Sequence, residues 1–286
     1  MKYQLAIVHR VCPVLAKTAA VYTDKLEMVK ATTTSLARAL AGIRTRLVVI
    51  LDGCGSEYEQ LFDAVFLTSQ VDGVDYERIA TPAIGNNATY RKQLELLSEL
   101  SEDAEYLYFS EDDYLYEAQA FSEMMEFLQK PGVDFVTPLD HPDYYQPDRE
   151  RALRCSIRAT VRRHWREIGT TCCTFMLKSA DFARARQSLS YYARGGSDYV
   201  MGLLLTKFGC YSLSSVIGGV FRYWFCKPRN WMQVIPAIAW LKLGLRLPLA
   251  PRFRLWSPMP SLTVHLCNPS LPPLSARLVS NMRERN

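Results

Sequence analysis

From Tyr3 to Ser110 short apolar runs alternate with segments of helical periodicity, and no other feature constrains the fold as strongly. The runs are YQLAIV at 3–8, RLVVIL at 46–51, ERIAT at 77–81 and EYLYFS at 105–110, with helix-like stretches at 24–41, near 56–67 and from about 87 to 100 between them. Repeated βα units imply an α/β chain with a mainly parallel central sheet covered by helices. At 286 residues, 49% of them hydrophobic, the chain can fill a sizeable core, in one large domain or two small ones. The start, MKYQLAIVHRVCPVLA, has an apolar stretch interrupted by His9 and Arg10, too short for a leader, and is read as a first buried strand. The eight cysteines are scattered with no C-x-x-C pair, which supports neither zinc nor a disulfide framework and makes a reducing cytoplasm the expected setting.

In open α/β sheets ligands sit beyond the carboxyl ends of the strands, here His9-Arg10, Asp52-Gly53 and Glu111-Asp112-Asp113. Three consecutive carboxylates behind a buried strand repel one another, and removing them from water is costly unless cations or hydrogen-bond donors compensate. Neither a G-x-x-x-x-G-K-[ST] loop nor a G-x-G-x-x-G turn follows the first strand, so a bound nucleotide would need a metal to help hold its phosphates. Alternate residues of a strand share a side, so Glu111 and Asp113 could offer two oxygen ligands to Mg²⁺ or Mn²⁺. A solvated acidic turn is the competing reading. Phe121, Met124, Met125 and Leu128, at i, i+3, i+4 and i+7, read as core packing of the next helix.

With FSEDDYLYE at 109–117 come GNNATYRKQ at 85–93, HWREIGTTCCTFML at 164–177, GSDY at 196–199 and SPMPSLTVHL at 257–266. In this order they resemble the nucleotide-sugar-dependent glycosyltransferases of the A fold type, in their bacterial, family-2-like form, with E-x-D standing where the family has D-x-D. The resemblance implies a single GT-A-like domain over 1–225, with a nucleotide-sugar half at 1–117 and an acceptor half at 118–225, followed by a basic helical tail at 226–286 that returns to the active site. It implies that Glu111, Asp113 and His265 hold Mn²⁺ or Mg²⁺ and that Asp112 faces the ribose. Asp52 would meet the base or ribose, and Asn86, Asn87 and Arg91 the nucleotide's flank, with His9 and Arg10 at the same donor-binding end of the sheet.

Asp198 is the candidate general base, since inverting transfer requires a carboxylate to take the acceptor hydroxyl's proton. Its setting, GGSDYVMGLLL, also reads as a glycine turn, Ser197 as N-cap and an acid in a first helical turn, where the dipole would lower its pKa. Acceptor binding is assigned loosely to Asp140, Tyr144 and Tyr145 in PLDHPDYYQPDRE, and to His164 and Trp165 beside a run of seven arginines within 149–166. Aromatic faces stack on sugar rings, and arginines hold phosphates or acidic sugars.

Charge is uneven: residues 199–283 carry ten Lys or Arg and no acid. Such a basic half suits a negatively charged partner, and an anionic membrane surface is expected rather than nucleic acid, with a solvated basic face as the alternative. In 229–256, Trp231, Val234, Ile235, Ile238, Leu241 and Leu245 recur at helical spacing, while Pro236 would kink the run and Lys242 and Arg246 interrupt it. This suits a helix lying in the interface, or packed on the domain, better than one that spans. The expected function is metal-dependent, inverting transfer of a sugar from a nucleotide-diphosphate sugar donor to a hydroxyl of a glycan or lipid-linked acceptor in surface polysaccharide synthesis. The expected location is the cytoplasm, peripheral at the inner face of the cell membrane. One alternative is a sugar-nucleotide pyrophosphorylase, disfavoured because RVCPVLAKTAA lacks a glycine-rich loop; another is a non-catalytic, membrane-associated carbohydrate-binding scaffold.

Overall fold

The apolar runs form strands. In the computed structural model, β1 (Tyr3–Val11), β2 (Thr45–Asp52), β3 (Val74–Thr81) and β4 (Ala104–Glu111) pair in parallel in the order β3-β2-β1-β4. Helices α1 (Lys25–Leu40), α2 (Ser56–Asp63, extended by a π-helical turn at Ala64–Thr68) and α3 (Asn86–Leu100) connect them. β1, β2 and β4 are buried almost throughout, as strands covered on both faces must be, whereas β3 alternates half-buried and exposed positions and carries charges along its outer edge. The structure describes residues 1–16, 21–145, 156–207, 210–211, 213–225 and 251–267, with 237, 240–241, 244 and 246–249 between the last two.

Beyond β4 the sheet changes character. β5 (Tyr114–Tyr116), α4 (Ala120–Leu128), β6 (Phe135–Val136), β7 (Ile157–Ala159), β8 (His164–Ile168), β9 (Phe175–Lys178), α5 (Ser179–Ala193) and α6 (Asp198–Thr206) follow in turn. After them come α7 (Leu213–Phe225), a short α8 (Arg246–Leu249), β10 (Leu255–Met259) and β11 (Thr263–His265). Nine strands form one sheet, β3-β2-β1-β4-β9-β6-β10-β8-β7. β9 runs antiparallel to both β4 and β6, and β8 antiparallel to β10. The sheet is therefore parallel only through its first four strands and mixed beyond them, because the short strands after β4 are joined without the repeated helical crossovers that impose parallel pairing.

β10 lies between β6 and β8 in the middle of the sheet, so the expected boundary at residue 225 does not separate a tail from a domain. The segment 251–267 completes the domain's own core, with Trp256 and Leu255 fully or nearly fully buried. After β10 the chain passes a cis Met259–Pro260 bond, and β11 pairs with β5, aligning His265 with Tyr114.

Two expectations for the second half are altered. Trp165 has no exposed surface and stacks on Phe127 at 4.2 Å, so it is a core side chain rather than a platform for a sugar. In the 229–256 stretch, Trp231, Val234, Ile235, Pro236, Ile238, Lys242 and Leu245 lie outside the described residues, as do Arg149, Arg151 and Arg154. Among those described, the Trp240 indole donates to the Cys210 carbonyl at 2.6 Å, a contact with the domain. No described helix is long and apolar enough to cross a membrane.

Candidate functional site

Strand order reverses between β1 and β4: β1 leads to β2 on one side, and β3 returns across to β4 on the other. At such a point the loops leaving two adjacent strands diverge and leave a crevice. A cleft of about 430 Å³ opens here, bordered by Arg10 and Cys12 at the end of β1, Asp52 at the end of β2, Asn86 at the start of α3, and the three acids at the end of β4. A volume of this order lies within the range of small-molecule sites.

The acids that end β4 each meet a different partner. Arg10 donates to Glu111 Oε1 at 2.7 Å, and the Thr174 hydroxyl donates to Oε2 at 3.1 Å. Lys25 donates to Asp112 Oδ1 at 2.7 Å, and the Cys12 amide to Oδ2 at 2.9 Å. His265 Nε2 lies 2.9 Å from Asp113 Oδ2. Much of the compensating charge is thus supplied by the protein, which excludes the solvated-turn reading. One oxygen stands apart: Asp113 Oδ1 is buried and receives no nitrogen or oxygen donor among the described residues, with the Cys267 thiol beside the carboxylate.

Burial raises the carboxyl pKa of Glu111, against the pull of Arg10, and that of Asp112, against Lys25. Burial pushes Asp113 the same way, but the charge and hydrogen bond of His265 outweigh it and hold Asp113 down to about 2. His265 would be lowered by burial, yet Asp113 drives it well above the ordinary histidine range. The two form a charged pair, with the imidazole stacked on Tyr114 at 4.6 Å and nearly parallel to it.

The remaining donor-side expectations divide. Arg10 borders the cleft and also donates to the Asn86 carbonyl and side chain, at 3.0 and 2.7 Å. Asp52 borders it too, but its oxygens accept from the Thr81 hydroxyl and the amides of Ile84 and Gly85 at 2.6 to 2.8 Å. It thereby shapes the turn into α3, where Gly85 has φ +85°, a region that favours glycine. Asn87 donates to the Tyr192 carbonyl and Arg91 to that of Ala193, and neither borders the cleft. These two satisfy carbonyls in the last turn of α5 and dock it on α3, so their expected place on the nucleotide's flank is corrected. His9 is also corrected: it is 1% exposed beneath the cleft, bonded to the Ser110 hydroxyl at 2.8 Å, and burial lowers its pKa to about 3.

Ser197 caps α6 as expected, accepting from the Val200 amide, and Asp198 follows in the first turn. The expected dipole-lowered pKa does not hold. Burial raises Asp198, more than the backbone hydrogen bonds and the nearby His141 and His265 lower it. Asp140, 2% exposed, accepts from Arg166 at 2.8 Å and from the Tyr145 hydroxyl at 2.5 Å, while the Arg166 guanidinium lies over the rings of Tyr144 and Tyr145 at 5.1 and 4.6 Å. Tyr144 donates to the Thr170 carbonyl, and Tyr145 is half exposed. His164 is exposed at the start of β8, opposite Met259, and does not border the cleft.

Sequence reasoning missed Lys25 and Thr174, and reached Arg166 only as one of the seven arginines assigned loosely to acceptor binding. Lys25 carried a signal: a lysine in the first turn of a helix opposes the dipole, and Asp24 already caps α1 by accepting from Glu27, so a further reason for that cation was needed. Thr174 carried none, and nothing singled Arg166 out of its run, since their partners are 63 and 26 residues away.

Among the described residues no three of His, Cys, Asp and Glu form a ready metal cage. What these residues offer a hard divalent ion is one carboxylate oxygen: Asp113 keeps a buried Oδ1 that meets no nitrogen or oxygen donor among the described residues, beside the Cys267 thiol, and the Glu111 carboxylate and His265 imidazole lie close enough to act electrostatically on it. Glu111, with both oxygens engaged by Arg10 and Thr174, is less available than expected. No family model matches the chain, and no curated protein matches it.

Proposed function

We propose that this chain is a metal-dependent glycosyltransferase that moves a sugar from a nucleotide-diphosphate donor to a hydroxyl of a glycan or lipid-linked acceptor. The observation that carries the reading is the cleft at the β1/β4 reversal, where Arg10 and Lys25 stand among three acids and Asp113 keeps a buried oxygen without a nitrogen or oxygen donor among the described residues. A divalent cation held by Asp113, with Glu111 and with His265 once that imidazole has given up its proton, would offset the charge of the departing diphosphate. Arg10 and Lys25 add fixed positive charge for phosphate oxygens, already oriented by Glu111 and Asp112.

Asp198 is the base in this reading. Its raised pKa brings a carboxylate nearer to the affinity needed to accept a hydroxyl proton. As that proton leaves, the acceptor oxygen bonds to the anomeric carbon from the face opposite the diphosphate, and the bond to the diphosphate breaks, inverting the centre. Arg166, Asp140 and Tyr145 offer a rigid charged and aromatic platform for the acceptor.

Thermal-shift and hydrolysis assays across nucleotide-sugars, with and without Mn²⁺, test this. One donor should raise the melting temperature in the presence of metal, because a ligand bound only by the native state stabilises by RT ln(1 + [L]/Kd). Asp113→Ala should abolish the metal dependence while leaving the fold intact. Unchanged metal-dependent nucleotide affinity in that variant would overturn the assignment.

A further inference from the structure

At the end of the sheet opposite the cleft two guanidinium groups converge. β9 runs antiparallel to both β4 and β6, and β10 runs parallel to β6, so β6 and β10 point the same way as β4 and their amino ends lie away from the acids. Gly132 precedes β6 there and Arg254 precedes β10, while Arg158 reaches the same place from β7. The position a Cβ would take on Gly132 lies 3.2 Å from Arg254 Nη1 and 3.6 Å from Arg158 Nη2. Pro131 and Gly132 are exposed, so the notch between the two arginines opens to solvent.

Like charges brought together call for a compensating group, and the protein supplies little of it here. Arg10, Arg163 and Arg166 each meet a carboxylate at 2.5 to 2.8 Å. Among the described residues no acid hydrogen-bonds to the guanidinium of Arg158 or of Arg254; Glu167 comes only within 4.0 Å of Arg254 Nε, and Asp134 accepts from the Arg254 main-chain amide. Lys130, exposed two residues before Gly132, adds positive charge. Arg158 is nevertheless fixed. Its guanidinium lies over the buried Trp256 ring at 4.8 Å and Nη1 donates to the Pro131 carbonyl at 2.6 Å, which leaves Nη2 at the notch. The Arg254 side chain is 49% exposed and free to adjust. A phosphoryl group presents three oxygens and up to two negative charges, enough to bridge both forks, whereas one fork already satisfies a planar carboxylate.

We propose that Arg158 and Arg254 form an anion site at Gly132 for inorganic phosphate or the phosphoryl end of a small phosphate monoester. The site stands apart from the transferase reading, so it is tested in EDTA and without turnover. Inorganic phosphate and, separately, methyl phosphate, titrated into the full chain at constant ionic strength, should each raise the melting temperature above that in chloride. The tighter of the two names the source of the phosphoryl group. Arg254→Gln should weaken phosphate binding about ten-fold, as the loss of a hydrogen bond to a charged group does, and leave the melting temperature in chloride unchanged because the side chain is half in solvent. Arg158→Lys keeps a stem over Trp256 and a positive charge but not the fixed Nη2, and should also weaken binding about ten-fold. A natural chain that phosphate stabilises no more than chloride does overturns the proposal. Natural phosphate affinity in either variant overturns it too, because both forks are required and the anion would then sit elsewhere, as beside Arg10 and Lys25 in the cleft.

Discussion

Among the described residues, two clusters that join arginine to glutamate differ in completeness. At the end of α4's side of the sheet, Arg163 donates through Nε and Nη2 to Glu123 at 2.5 and 3.1 Å, through Nη2 also to Glu117 at 3.0 Å, and through Nη1 to the Pro260 carbonyl at 2.6 Å. Its donors are engaged, both Glu123 oxygens are used, and none of these residues borders the cleft. At the end of β4, Arg10 has an Nε without a partner and Asp113 an oxygen that no nitrogen or oxygen donor meets, among the described residues, and the pKa values of Glu111 and Asp112 are raised by burial. A closed network holds the chain: Arg163 clamps the turn that carries β10 into β11. An open one, beside a cleft, retains capacity for a ligand.

The comparison breaks most visibly at Asp198. Asp198→Asn keeps size and hydrogen bonding but cannot take a proton, so transfer should fall by about 10² to 10⁴ in kcat while donor and metal affinity persist. Under the transferase proposal, the acid limb of the natural chain's rate profile should lie above the ordinary aspartate value of about 3.9, because a raised carboxyl stays protonated, and inactive as a base, to higher pH. Transfer at a near-normal rate by Asp198→Asn would reduce the residue to a helix-start acid.

Arg163→Met tests the closed cluster. It leaves Glu117 without this cation and Glu123, 7% exposed, with only the exposed Arg162 at 3.8 Å, so stability should fall by about 3 kcal/mol in denaturant titration. Donor affinity well below the melting temperature should be retained. A variant of natural stability that cannot bind the donor would make the clamp part of the site.

The smallest effect sharpens the boundary between the two kinds of contact. Arg91→Ala removes from α3 the cation that meets the last turn of α5, which should cost about 0.3–1 kcal/mol and leave nucleotide affinity unchanged. A ten-fold loss of affinity would return Arg91 to the phosphate.

How much of this was legible depended on distance along the chain. Hydrophobic period and capping residues act over a few positions, so the order of β1 to β4 and α1 to α3, their ends within a few residues, Ser197 as N-cap and the placement of three acids at a strand terminus could all be read from the residues. Trp165 misled for the same reason: nothing in its neighbours tells whether an aromatic ring faces a sugar or Phe127. Arg91 and Asn87 misled because a polar first turn serves a ligand or a neighbouring helix equally well.

The sequence by itself determined an α/β chain with carboxylates at the carboxyl end of its fourth strand and an acid-free basic stretch at 199–283. Only the tertiary structure decided which cation meets which acid. Arg10 is 101 residues from Glu111, Lys25 is 87 from Asp112, and His265 is 152 from Asp113. These meetings follow from strand order and from β10 entering the sheet between β6 and β8, which carries β11 to β5 and His265 to Asp113. Side-chain pattern records whether a residue is buried, but the identity of its neighbour across the sheet is set by how all the strands close the core together.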